Sequence, residues 1–496
     1  MPSAAMSGST QHALGLHLYQ PPGNLQSLLR LDEGEAGRIL KCYERVARHA
    51  HKYAQVARLH VALSVVLLEQ LRDPELIEAC RHLADLPAIL DGLRSAVSIE
   101  FIGTGYRHAP LPLIPPDDWD EQLRNERVTV EAVLGRVLKG YWPPASLFTP
   151  EMIPALVRAG YEYVLLPGSL LAMPDGSGVD PYRPYRISHR GAKMIAVPLD
   201  RGFSQAQETG LDASWFADEV RNGVAQSPAT DAPYLLSTWS DGENGDWFRR
   251  LDEAHGFFGQ FFSPYMEFCE TGEFPVRPVH LSAYLGAHRP AIEANVRAQP
   301  LADPATPWGE GGRLARERLV RSSARYWSLA RAVTQPAHAR TALPQARELI
   351  LQAEDSGFLL GDADQHAAML SLLDEADQLL DPRPAPAPRP SPAPATPAVP
   401  VAPSRGAATA VAAQPKAAVV TTPSEALPAA SKEAEPAAAG EAAPAMPTEA
   451  APAVSGETAP ATSKKAAPAT VGGPAAKVPK GPASRSPRRK RPKRRS

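Results

Sequence analysis

The sequence predicts an α/β fold: a (β/α)-type barrel of seven strands, then a helical region, then a long disordered tail. Three observations lead there. Seven short apolar runs alternate with amphipathic helix patterns over residues 10–290, which favours a parallel sheet. His17, Gln20, His108, Trp142, Trp239 and Asp241 fall at or just past the C-terminal ends of separate runs, the face on which a barrel assembles its site. The turn after the first run, LYQPPGNL, has two prolines and lacks the GxGxxG expected there in an open, dinucleotide-binding sheet.

The strand runs are HALGLHLY (12–19), ARLHVALS (57–64), VSIEFIGTG (97–105), LKGYW (138–142), YEYVLLPG (161–168), KMIAVPLD (193–200) and PYLLSTWS (233–240). Each is short, rich in branched or aromatic residues, and bounded by turn formers. Apolar residues at helical spacing predict helices over 37–54, 73–86, 149–160 and 212–224 between them. His49 and His51 lie in the first of these and are expected on its solvent face. After about residue 290 the strand signals stop. Helix patterns over 312–333, 343–353 and 367–380 read as a helical region, 291–381, packed on the barrel and closed by Asp381-Pro382.

Most of the 53 prolines' excess over ordinary usage lies beyond Leu380. Segment 382–496 is a run of Ala, Pro, Thr, Ser and Lys that cannot bury enough apolar surface to offset chain entropy, so disorder is expected. The net charge of −2 conceals a cationic end: Lys and Arg cluster over 477–496 with no acid among them. Such a cluster suits nucleic acid or another polyanion through counterion release, and equally a solvated tail. Three cysteines, Cys42, Cys80 and Cys269, lack CxxC spacing, so neither a disulfide framework nor a zinc knuckle is expected. The opening residues have no charged segment followed by an apolar core, and no run of about 18 apolar residues occurs. A cytoplasmic protein without a membrane span is the expectation.

Four segments could carry chemistry: GLHLYQPPGNL (15–25), EFIGTGYRHAPLPLIP (100–115), GYWPPASLFTPEMIPAL (140–156) and TWSDGENGDWF (238–248). In this order, and at strand ends, they resemble the motifs of glycoside hydrolase family 57, whose members act on α-glucans by a retaining mechanism. Retention needs two carboxyl groups about 5–5.5 Å apart, one attacking the sugar and one protonating the leaving oxygen. The resemblance implies that Asp241 is the acid/base, and an Asp beside Trp239 at a strand end is placed for desolvation to raise its pKa. It implies sugar contacts from His17 and His108, and Trp142 and Trp239 are candidates for stacking on sugar faces. Glu243, two residues past Asp241 across a glycine, is a further contact candidate.

The family's third motif places its nucleophilic Glu three residues after the Trp, and here that position is Ala145. A methyl group cannot attack an anomeric carbon, so hydrolysis is expected to be lost or weak. Glu100 and Glu208 are alternative carboxylates for a displaced mechanism, whereas Glu151 in TPEMIPAL reads as a helix-start residue. No metal or cofactor is required by the spacing. The expectation is an α-glucan-binding barrel, with an active hydrolase or transferase, or a tail-driven nucleic-acid-associated protein, as alternatives.

Overall fold

A computed structural model of the chain describes residues 10–208, 210–243, 252–272, 274–299, 310–334 and 337–381. The tail 382–496, with its basic cluster 477–496, and Trp308 lie outside the described residues.

Seven parallel strands form the barrel: β1 (Thr10–Leu18), β2 (Leu59–Leu63), β3 (Ile99–Gly103), β4 (Gly140–Tyr141), β5 (Tyr163–Pro167), β6 (Ala192–Leu199) and β7 (Leu235–Asp241). All seven overlap the apolar runs expected to form them. β1 through β6 pair in sequence order, each parallel to the next. β7 returns to pair with β1 in parallel, from Gln11 opposite Leu235 to His17 opposite Asp241. The remaining join, β6 to β7, is marked by a 2.9 Å hydrogen bond from Asp200 N to Ser237 O. Every residue of β2 and β5 is buried, as expected when helices cover the outside and side chains fill the inside.

β4 has only two residues because Pro143 and Pro144, lacking N–H groups, cannot extend the ladder. On the outer layer, the helix Glu33–Lys52 is capped by Asp32, whose side chain accepts from Glu35 N at 2.9 Å. It buries Ile39, Tyr43, Val46 and Ala50. The expected helix over 73–86 is instead two, Pro74–Cys80 and Leu86–Ser95. Asp85 caps the second and a proline occupies its first turn, so the local start signal overrides the continuing apolar period. His49 also departs from expectation: it is 3 % exposed, stacked on Phe258 at 4.4 Å and 2.8 Å from Glu253.

Beyond residue 290 a short strand, Asn295–Val296, pairs antiparallel with Leu171–Ala172 before the helices begin. Helices Glu310–Ala330, Ala337–Ala353 and Ala363–Leu380 then pack together and dock on the barrel helix Pro116–Leu134. Asp118, fully buried on that helix, accepts from Ser323 Oγ at 2.6 Å and Trp327 Nε1 at 2.7 Å, and pairs with Arg347 at 2.8 Å. Arg347 also reaches Glu121 at 2.7 Å. These charges are taken from water together, so their mutual hydrogen bonds must offset desolvation.

Candidate active site

The C-terminal ends of β1, β3, β4 and β7 converge. His17, near the end of β1, lies opposite Asp241 in the β1–β7 register. Its Nε2 is 2.9 Å from Nε2 of His108, on the loop leaving β3. The His17 ring is 4.6 Å from Trp142, which follows β4. Trp142 stacks on Trp239 of β7 at 5.5 Å and 21°. β4 and β7 are not neighbours in the sheet, so this stack spans the barrel mouth. Gly15 makes room for it: a Cβ there would lie 1.9 Å from Trp239 Cε3.

Asp241 ends β7 in a turn held to β1 by a 2.8 Å bond from Gly242 N to His17 O. Glu243 N donates to Asp241 Oδ1 at 3.0 Å. Burial raises the Asp241 pKa to about 6, an effect only partly offset by that N–H. The Glu243 side chain turns toward the outer layer, accepting from Gln20 Nε2 at 2.7 Å and from the Tyr43 hydroxyl. It is 3 % exposed, and burial, then the neighbouring Asp241, pushes its pKa well up. Asn24 in turn donates to Gln20 Oε1 at 2.6 Å.

The two imidazoles are buried and held neutral. Burial lowers the His17 pKa to about 3, and burial plus His17 lowers that of His108 well below its ordinary value. Nδ1 of His108 is 2.6 Å from Ser356 Oγ, in the turn between two helices of the C-terminal region. Tyr19 stacks on His108 at 4.2 Å and donates its hydroxyl to Asp355 Oδ1 at 2.6 Å. Behind the β3 loop, buried Glu126 accepts from Thr104 N at 2.5 Å and Tyr161 OH at 2.6 Å.

Ala145 lies in the short turn Pro144–Ser146 just after β4. It adopts φ 53° and the following Ser146 φ 54°; His108 adopts φ 51°. Left-handed backbone at non-glycine residues is strained and collects at functional sites. Gln299 clamps the loop, donating to Ser146 O at 3.1 Å and accepting from Phe148 N at 2.7 Å.

The other carboxylates considered lie elsewhere or are engaged. Glu100, near the start of β3, accepts from Tyr163 OH at 2.6 Å and Ser282 Oγ at 2.9 Å, and is 3.8 Å from His60. Glu151 immediately precedes the helix Met152–Arg158, and its own N–H and the Thr149 hydroxyl lower its pKa. Glu208 ends the helix Arg201–Glu208. Sequence reasoning missed Tyr43, Asp355 and Ser356 as neighbours of the site. The only local signal was the polar run EDSG (354–357) between apolar helical stretches.

Comparison with known proteins bears on the family and the fold. The profile of "Glycosyl hydrolase family 57" matches residues 28–200. "Alpha-amylase 1" of Dictyoglomus thermophilum is 23 % identical over 296 residues, covering 58 % of this chain and 38 % of its own length. An alpha-amylase of Pyrococcus horikoshii is 24 % identical over 220 residues, covering 42 % and 32 %. This chain thus spans about a third of the length of these relatives. The fold is shared with the 4-alpha-glucanotransferase from Thermococcus litoralis (TM-score 0.57, 16 % identity, 75 % of this chain and 60 % of that one). It is shared too with a branching enzyme from Thermococcus kodakaraensis (TM-score 0.56, 14 % identity, 76 % and 95 %). The profile match lies across β2 to β6, and this part of the chain is similar to glycoside hydrolase family 57.

Proposed function

We propose that this chain binds an α-glucan or oligosaccharide at the C-terminal face of its barrel and hydrolyses it weakly or not at all. The observation that carries the reading is Ala145, a methyl group at the motif position of the nucleophile, in strained backbone after β4. In the retaining reaction a carboxylate there attacks the anomeric carbon, the glycosidic C–O bond breaks, and the leaving oxygen takes a proton from the acid/base. Water then cleaves the glycosyl ester, with the same residue acting as base. Without the first carboxylate no ester forms. For scale, removing the nucleophile of a serine protease costs on the order of 10⁶ in turnover.

Binding is supported by what the mouth retains. The Trp142–Trp239 stack, 4 % and 8 % exposed, packs the floor of the mouth against which a sugar face would rest in this reading. Trp239 Nε1 is buried without a protein acceptor among the described residues, a donor suited to a sugar hydroxyl. Asp241 completes a polar rim in this reading, with the buried His17–His108 pair beside it and the Glu243 N–H holding Asp241 from behind. A second reading, an active hydrolase or transferase with a displaced carboxylate, draws support from Asp241. Its pKa near 6 suits a general acid. Calorimetric titration of the full chain with maltoheptaose tests the binding reading. A saturable heat that weakens in Trp142→Ala is expected; no heat at millimolar ligand would reject it.

A further inference from the structure

The mechanism outlined for the barrel leaves one buried polar chain unused: Ser356 Oγ, His108 Nδ1, His108 Nε2, His17 Nε2. We propose that Ser356 is a positioning residue for the barrel's site, holding the His108 ring so that its Nε2 shares one proton with Nε2 of His17. The helical region and the barrel then form one site. The purpose assigned to the pair rests on the sugar-binding reading; the hydrogen-bond chain itself does not.

The constraint follows from proton counting. Two Nε2 atoms 2.9 Å apart need one proton between them, so one ring donates and the other accepts. If His108 Nε2 donates, its Nδ1 is bare and must accept from the serine hydroxyl at 2.6 Å. His17 then carries its proton on Nδ1. If His17 Nε2 donates, His108 carries its proton on Nδ1 and gives it to Ser356 Oγ. A hydroxyl serves either arrangement because it both donates and accepts. His108 and Ser356 are 0 % and 4 % exposed, so water is a poor substitute partner.

The turn that carries Ser356 is fixed on both sides. Gly357 N donates to Tyr19 OH at 3.0 Å and to Asp355 Oδ1 at 2.7 Å. A Cβ on Gly357 would lie 2.7 Å from Tyr19 OH and 3.2 Å from Pro21 Cβ. Glu354 accepts from Gln122 Nε2 of the barrel helix at 2.5 Å, and Asp355 caps the short helix Ser356–Leu359. Tyr19 and Pro21 belong to the loop after β1, two and four residues past His17. The serine is therefore registered against both the loop of one histidine and the ring of the other.

The test is long-range ¹H–¹⁵N NMR of the full chain labelled with ¹⁵N-histidine, the two rings assigned through His17→Gln and His108→Gln. Complementary neutral tautomers are expected at pH 7, changed in Ser356→Ala and restored in Ser356→Thr. Should Ser356→Ala fail to fold, Ser356→Cys, which keeps the size and weakens the hydrogen bond, serves the same comparison. Unchanged imidazole signals in the folded variant would overturn the proposal. Maltoheptaose affinity, followed in parallel, should fall about tenfold in Ser356→Ala. Tautomers that shift in a chain binding no glucan would sink the sugar reading and leave the positioning role standing.

Discussion

Two strand ends face each other across the barrel mouth, and they differ in what they have kept. β7 ends in Asp241, set opposite His17, held by Glu243 N, with its carboxyl pKa raised by burial. β4 is followed by Trp142 and a strained turn in which, on the proposed reading, a methyl stands where the nucleophilic carboxylate would be. The aromatic stack joining the two ends is intact. On the proposed reading, binding surface and bond cleavage depend on separable parts of one mouth, and the loss lies in only one of them.

The largest expected effect comes from arming β4. Ala145→Glu should raise maltoheptaose hydrolysis on the order of 10³-fold or more, since it supplies the absent nucleophile. The left-handed φ is no obstacle, because alanine already bears the Cβ that makes it costly. A variant that folds and binds but gains no turnover would break the symmetry drawn between the two strand ends.

Next comes the shared platform. Gly15→Ala would push a methyl into the Trp239 ring, destabilising the fold by about 3 kcal/mol and lowering the denaturant midpoint. Trp142→Ala should weaken glucan binding about tenfold by removing one stacking face, and because the ring is buried it should also destabilise the fold by about 3 kcal/mol or more. If binding survives Trp142→Ala unaltered, the sugar lies elsewhere.

The smallest effect concerns pH. Asp241 has a folded pKa of about 6 against an ordinary 3.8, so between these values the native state holds more protons than the unfolded chain. Stability contributed by this group is full below the ordinary value and falls as pH rises through about 6. Asp241→Asn keeps an acceptor for Glu243 N and should flatten that slope, raising Tm at pH 7 relative to the parent. A steeper slope in the variant would contradict the assigned environment.

Much of this frame was legible in the sequence. The seven strands appear as seven apolar runs because residues buried on both faces leave no alternation to misread. The converging ends were visible as polar and aromatic residues placed just after those runs. His49 was misjudged although the helix period spoke for it: Val46, His49, Ala50 and Tyr53 lie on one face, all buried. The break after Cys80 was signalled by Asp85 and Pro87, yet an apolar period ran through it. Contacts made only by folding were beyond reach. Nothing local couples Tyr43 to Glu243 or His108 to Ser356, 200 and 248 residues apart.

Reducing-end release from maltoheptaose distinguishes a glucan-binding barrel without its nucleophile from a working hydrolase. The unmodified full chain is assayed at concentrations that saturate it in calorimetry. A bound oligosaccharide is expected, with release no faster than in buffer alone. Steady release by the unmodified chain that vanishes in Asp241→Asn would contradict it, and would mean that another carboxylate does the work of the missing one.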